Sequence, residues 1–201
     1  MNYAWIKPNT ILKGESVELL PLEEKHFNEL EILAREKSIW EFIPIEMNTT
    51  EKCFQVFSMA IKEREKETQY PLVIFHKKEN KIIGSTRLMN IDPSNRKLEI
   101  GWTWLHPAYW GTSINLECKL LMLTFCFEEL KTIRVELKTD ENNIRSRKAI
   151  QKIGGLFEGV LRNDRIRENG TIRSSAYFSI IHTEWTTTKK KLTSRLLKKL
   201  S

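Results

Sequence analysis

The chain has 201 residues, 40% of them hydrophobic and 29% charged, enough for one well-packed core and short for two. No run of eighteen apolar residues occurs, and the opening MNYAWIKPNT lacks a charged-then-apolar signal pattern, so a membrane-spanning or secreted protein is not expected and the cytoplasm is. The formal net charge of +7 suggests nucleic acid at first, but Lys189–Leu200 holds six cations and no acid; subtracting them leaves about +1 for everything else.

Ser16 to Pro21 reads as a first strand, and Leu22 to Arg35 as an amphipathic helix through Phe27, Leu30 and Leu33 or Ala34. Trp40, Phe42, Ile43 and Pro44 break the pattern in a loop, where bulky aromatics either line a pocket or plug a helix end. Thr49 or Thr50 can cap a second helix running to about Glu67, with Phe54, Phe57 and Ile61 inward. Leu72 to Phe75 and Ile82 to Asn90 flank the turn Lys77-Lys78-Glu79-Asn80, a hairpin.

The most informative stretch runs from Leu98 to Asp140. Leu98, Ile100, Trp102 and Trp104 fall on one face of a strand, with Glu99, Gly101 and Thr103 on the other. His106-Pro107 stops the pairing, and Trp110-Gly111-Thr112-Ser113 leads into a helix beginning at Ile114 or Asn115. From Leu120 to Phe127 only Thr124 is polar, so this helix is expected to be buried nearly all round. Ile133, Val135, Leu137 and Thr139 then alternate with Arg134, Glu136, Lys138 and Asp140, giving a strand parallel to the first across the helix. The helix N-terminus opens at the strand ends, where its unpaired amides and dipole suit phosphate or pyrophosphate.

Asn143 or Asn142 can cap a further helix reaching Ile153 and ended by Gly154-Gly155. Two last strands, about Leu156 to Arg165 and Thr171 to Ile181, meet at the turn signal Asn169-Gly170. In Lys189–Leu200 the residues Leu192, Leu196, Leu197 and Leu200 recur at helical spacing, a basic amphipathic helix. It either docks on or frays from the surface, or it touches RNA or another acidic surface. The expectation is an α/β fold with a mixed central sheet of about seven strands and about four helices: one domain over 1–188 and a basic tail over 189–201. Cys118 and Cys126, eight residues apart on one helix, lie about 12 Å apart and cannot bridge. The four histidines show no ligand spacing, so no metal is expected.

These segments resemble the GNAT acetyltransferase superfamily, in the branch of ribosomal-protein N-terminal acetyltransferases of the RimJ/RimL type. The resemblance rests on Glu99-Ile100-Gly101-Trp102, on His106-Pro107 with Tyr109-Trp110-Gly111-Thr112, and on Asn115 and Glu117. It continues through Arg134 to Asp140, Asn143, Ser146 to Gly154, and Phe157-Glu158-Gly159, covering roughly Val17 to Trp185. It implies the GNAT fold and acetyl-CoA as donor, with the pantetheine arm along the strand near Trp102 to Leu105, bound at Trp104 and Leu105, and the pyrophosphate over Trp110, Gly111, Thr112, Ser113, Ile114 and Asn115. The superfamily's loop normally has glycine where this chain has Ser113. If that position needs positive φ or must nearly touch phosphate, serine costs on the order of 1 kcal/mol, partly offset by its hydroxyl. Weakened or unchanged CoA binding are the two expectations.

The resemblance further implies direct attack of an amine on the thioester. Ser146 would hydrogen-bond the cofactor sulfur, Asn143 would contact the pantetheine amide, and a backbone amide near Leu105 would serve the oxyanion. Glu99 and Asp164 are the candidate bases, Glu99 having the alternative of a salt bridge. Arg145 and Arg147 either reach the nucleotide phosphates or stay solvated. The acceptor is expected to be a protein N-terminal α-amine, whose pKa near 8 leaves it partly neutral, possible targets being ribosomal proteins. The alternatives are a small amine, amino acid or antibiotic held by Trp40, Phe42 and Trp110, and a non-catalytic CoA- or RNA-binding protein. Monomer and homodimer stay open.

Overall fold

A computed structural model of the protein describes residues 4–45, 47 and 49–200; the side chain of Leu200 and all of Ser201 lie outside the described residues. In chain order the elements are β1 (Leu12–Lys13), β2 (Val17–Pro21), α1 (Phe27–Ala34), α2 (Thr50–Glu65), β3 (Tyr70–His76), β4 (Lys81–Asp92), β5 (Lys97–Leu105), α3 (Ile114–Thr124), β6 (Arg134–Asp140), α4 (Ile144–Lys152), β7 (Leu156–Ile166), β8 (Ile172–Ile181) and α5 (His182–Leu200). Among the described residues the strands form one sheet in the order β1-β2-β3-β4-β5-β6-β8-β7. This is the expected mixed α/β arrangement with one strand more than expected, since the two-residue β1 is too short to carry any periodicity.

Alternating residues of the strands feed two cores, one on each side of the sheet. Leu72 and Ile74 of β3 join the core under α3, α4 and α5, while Val73 joins the core under α1 and α2. Local signals place the helices: Thr49 Oγ1 accepts the Lys52 amide at 3.2 Å to start α2. Asn143 Oδ1 accepts the Ser146 amide at 2.9 Å to start α4. The helix expected from Leu22 begins later, with a 3₁₀ turn over Glu24–His26 before α1.

Two features of β5 depart from the sequence expectation. Its four large residues do not share a face: Leu98 and Ile100 enter the α3-side core, Trp102 and Trp104 the α1/α2-side core. The cause is a bulge, because Arg87 pairs with Gly101 and Ser85 with Trp104, three residue steps on β5 against two on β4. Trp102 sits there at φ 49°, a left-handed conformation costly for a tryptophan, with the Arg87 guanidinium 4.2 Å from its ring centroid. A strict aromatic alternation conceals such a one-residue insertion. Secondly, β5 and β6 are parallel as expected but pair only over Lys97–Glu99 and Arg134–Glu136. Beyond these residues the strands diverge, leaving a cleft between Gly101–Leu105 and Leu137–Asp140.

The helix behind this cleft is buried as expected but not purely apolar. It carries Glu117 and Lys119, 3% and 6% exposed, and ends in a π-turn over Phe125–Glu129. Glu117 is structural, accepting the Ser16 amide at 3.0 Å. The basic segment is the second half of α5, which docks on α3. Trp185 stacks on Phe127 with 5.2 Å between centroids, and Leu192 is 1% exposed. Three of its cations are engaged within the fold: Lys189 on Glu128 at 2.6 Å, Arg195 on the Lys152 carbonyl, and Lys199 on the Gly111 and Thr112 carbonyls at 2.6 and 3.2 Å. Cys118 and Cys126 are buried free thiols, both pushed up by burial, Cys118 to about 12. No helix among the described residues is long and apolar enough to cross a membrane.

Candidate active site

The divergence of β5 and β6 opens a cavity of about 320 Å³ that runs from the loop at Phe42–Pro44, past the bulge, to α3 and α4. The strand edges facing it carry backbone groups that have left the sheet. Trp104 and Leu105 both line it, yet the Trp104 side chain is buried in the opposite core against Trp40. Trp104 can therefore meet a ligand through its backbone. The Leu105 carbonyl is occupied, accepting the Trp110 indole N–H at 2.9 Å.

The turn into α3 offers a row of donors. Gly111 takes φ 77°, and Thr112 turns its hydroxyl to the Tyr109 carbonyl at 2.7 Å. The amides of Gly111, Thr112 and Ser113 have no hydrogen-bond partner among the described residues. Ser113 lies at φ −71°, ψ −18°, ordinary helical values, so the left-handed reason for a glycine there does not apply; Gly111 is the residue that needs it. Ile114 places its side chain in the core and its amide on Thr112 Oγ1, leaving little for a ligand, whereas Asn115 lines the cavity. Free amides at a helix start suit a pyrophosphate, and the open strand edges suit an extended amide-bearing arm, so these residues fit acetyl-CoA.

Asn143, Arg145 and Ser146 face the same cavity from α4. The Arg145 guanidinium lies 3.8 Å from the Trp110 ring centroid, joining the start of α4 to the turn before α3. Arg147 is used elsewhere, bonding the Glu141 carbonyl at 3.0 Å and lying over Phe157. The Ser146 hydroxyl makes no hydrogen bond among the described residues.

The two candidate bases differ in setting. Glu99 is 3% exposed and lines the cavity, with Lys138 Nζ at 3.0 Å and Asn90 Nδ2 at 2.7 Å. Asp164, on β7, has a buried Oδ2 without a hydrogen bond and Arg165 Nε at 3.9 Å. Arg165 and Arg173, not Asp164 itself, line the cavity. Asp140, 1% exposed, holds Arg167 and lies 3.8 Å from Arg173 Nε. These pairs tie the β7–β8 hairpin to the end of β6, and the Glu168 amide joins the hairpin tip to the Phe42–Pro44 loop by bonding the Pro44 carbonyl at 3.2 Å. Of the loop aromatics, Phe42 lines the cavity, but Trp40 is core, its indole N–H capping the Ala34 carbonyl at 2.7 Å.

Sequence reasoning passed over Lys119. Its Nζ lies 2.5 Å from Thr103 Oγ1, inside the cavity, and burial pushes its pKa down to about 8. The available signal was its spacing: it stands four residues after Asn115, on the same helical face.

A mixed sheet split between two parallel strands, with a donor-lined helix start at the split, defines a CoA-dependent acyltransferase architecture. The Acetyltransferase (GNAT) domain family matches residues 16–155, and the chain belongs to that family, whose members transfer an acetyl group from acetyl-CoA. Over 104 residues it is 35% identical to "Putative ribosomal N-acetyltransferase YdaF" of Bacillus subtilis, a match covering 52% of this chain and 56% of that relative. A second Bacillus subtilis relative, "Probable N-acetyltransferase YjcK", is 24% identical over 177 residues, 86% of this chain and 97% of its own. The crystal structure of a GCN5-related N-acetyltransferase from Brucella melitensis superimposes with a TM-score of 0.87 at 26% identity, covering 94% of this chain and 86% of that one.

Proposed function

We propose that the protein transfers an acetyl group from acetyl-CoA to the α-amino group of a protein N-terminus. The observation that carries this reading is the state of the cavity's carboxylate. Glu99 is held by Lys138 and Asn90, and the neighbouring hairpin lines the cavity with arginines, so among the described residues the cavity lining offers no unpaired carboxylate to strip an ammonium. An acceptor that is already partly neutral asks least of such a site, and an α-amine near pKa 8 is one, whereas a lysine amine near 10.4 is not. The ribosomal designation of the Bacillus subtilis relative supports the same class of acceptor.

In this reading the free amides of Gly111, Thr112 and Ser113, with Arg145, hold the phosphates of the donor. Asn143 and the open edge of β5 orient its arm, and Ser146 faces the sulfur. The acetyl donor supplies a thioester, which the amine attacks directly. The proton lost by the amine passes to water in the open cleft, and Phe42 and the bulged Trp102 wall the acceptor side. Incubation with acetyl-CoA and peptides of free or blocked N-terminus, read by mass spectrometry, tests the assignment. Acetylation confined to the α-amine is expected; acetylation only of lysine side chains or small amines contradicts it.

A further inference from the structure

Lys119 is a buried cation in a helix whose neighbours show what would pack there more cheaply. Cys118, Met122 and Leu123 beside it are fully buried and apolar, while Lys119 is 6% exposed and has no carboxylate partner among the described residues. Its one hydrogen bond among the described residues goes to Thr103 Oγ1, which is itself bonded to Thr86 Oγ1 at 2.7 Å. Glu99, the carboxylate that shares its cavity, serves Lys138 and Asn90, while Glu117, two residues back on the helix and outside the cavity lining, bonds the Ser16 amide through Oε1. Thr103 stands at the bulge, where β5 has left β6, so the ammonium sits in the cleft between strand edge and helix. Burying an unpaired ammonium is costly, and Lys119 lines the cavity with no second acceptor for its N–H donors among the described residues.

We propose that Lys119 is a catalytic residue of acetyl transfer, the cation that receives the negative charge leaving with the sulfur of the acetyl donor. This rests on the acetyltransfer reading but not on the identity of the acceptor. The amine nitrogen forms its bond to the acetyl carbon, the carbon–sulfur bond breaks, and its electron pair goes to sulfur. The Lys119 ammonium gives that thiolate a proton, and the proton lost by the acylated nitrogen replaces it through the open cleft. Ser146 can hydrogen-bond the sulfur but is too weak an acid to protonate it. An ammonium titrating near a thiol's own range is matched to the task. The other titratable and charged groups facing this space are Glu99, Tyr109, Lys138, Arg145, Arg165 and Arg173, with Cys118 and Cys126 on the same helix.

The full-length protein saturated with CoA tests the assignment through the ultraviolet absorbance of the thiolate. In the wild type and Lys119→Arg the bound thiol should ionise at least one pH unit lower than in Lys119→Met, a tenfold change in acidity. Acetyl transfer by Lys119→Met should fall about a hundredfold, with acetyl-CoA affinity within about threefold. The wild type provides a second measurement that needs no variant. Calorimetry in buffers of different ionisation enthalpy should show a net proton change on binding CoA that is absent with S-methyl-CoA. Identical thiol titrations in wild type and Lys119→Met, or identical proton counts for CoA and S-methyl-CoA, would overturn the role of Lys119. Failure of CoA to bind at all would instead overturn the acetyltransfer reading on which it rests.

Discussion

Replacing Lys119 by methionine should make the protein more stable while making it a poorer enzyme, and the gain should depend on pH in a defined way. Burial lowers the Lys119 pKa from 10.5 to about 8, so the folded state resists a proton that the unfolded chain accepts freely. Below pH 8 the lysine is protonated in both states, and the folded protein bears the full penalty. At 1.36 kcal/mol per pH unit, that gap amounts to about 3 kcal/mol. Between about pH 8 and 10.5 the unfolded state binds more protons, so the wild type gains stability with rising pH; above that range the penalty is gone. Methionine has nearly the same length, no charge, and leaves the Thr103–Thr86 hydroxyl pair intact. The variant should therefore exceed the wild type by about 3 kcal/mol at pH 6.5, roughly 6–12 °C in Tm for a chain of this size, and the difference should shrink toward zero by about pH 10. Thermal unfolding of both proteins across this range measures it. A variant less stable than wild type at pH 6.5, or a difference that does not change with pH, would refute the reasoning.

Ser113→Gly should change CoA affinity by less than about threefold and lower stability by about 0.5–1 kcal/mol, because serine already has helical dihedrals there; calorimetric titration and denaturant unfolding report both. Lys199→Met frees the Gly111 and Thr112 carbonyls and loosens the turn whose amides face the phosphates, so CoA affinity should fall about tenfold, about 1.4 kcal/mol, with the fold intact by circular dichroism. Charge reversal at the exposed Lys190, Lys191 and Lys198 should leave CoA affinity unchanged and weaken any salt-dependent RNA association, the tail's second expected role, as read by filter binding at several salt concentrations. Glu99→Ala strands the Lys138 ammonium, which is 14% exposed, and should cost about 3–5 kcal/mol in urea unfolding, whereas Asp164→Ala, which removes no group of the cavity lining, should leave the pH–rate profile unchanged.

The order of elements was readable because each has a local cause: alternation at Ile133–Asp140, the caps at Thr49 and Asn143, and the turn glycine at Gly170. The loop from Trp110 to Asn115 was readable for the same reason, since a helix start after a strand has few uses. What the sequence concealed depends on pairing between distant segments. The bulge at Trp102 is set by register with Ser85 and Arg87, and in isolation Trp102 and Trp104 read as continuing the face of Ile100. The opening of the cleft depends on where β6 stops pairing with β5 and keeps pairing with β8. The docking of Lys199 joins segments nearly ninety residues apart. Lys119 was hidden for another reason: a single lysine beside a long apolar run reads as the polar end of that run, and only the cavity shows that its charge is buried.

The measurement that bears most directly on the whole account is acetyl-CoA turnover by the purified full-length protein against a peptide with a free N-terminus. Free thiol is followed in solution, and the product is located by fragmentation mass spectrometry. Saturable acetyl-CoA binding, stoichiometric thiol release and an acetyl group on the α-nitrogen alone are expected. Binding and turnover with the acetyl group found only on lysine side chains or small amines would contradict the N-terminal acceptor, and the absence of acetyl-CoA binding would contradict the site itself.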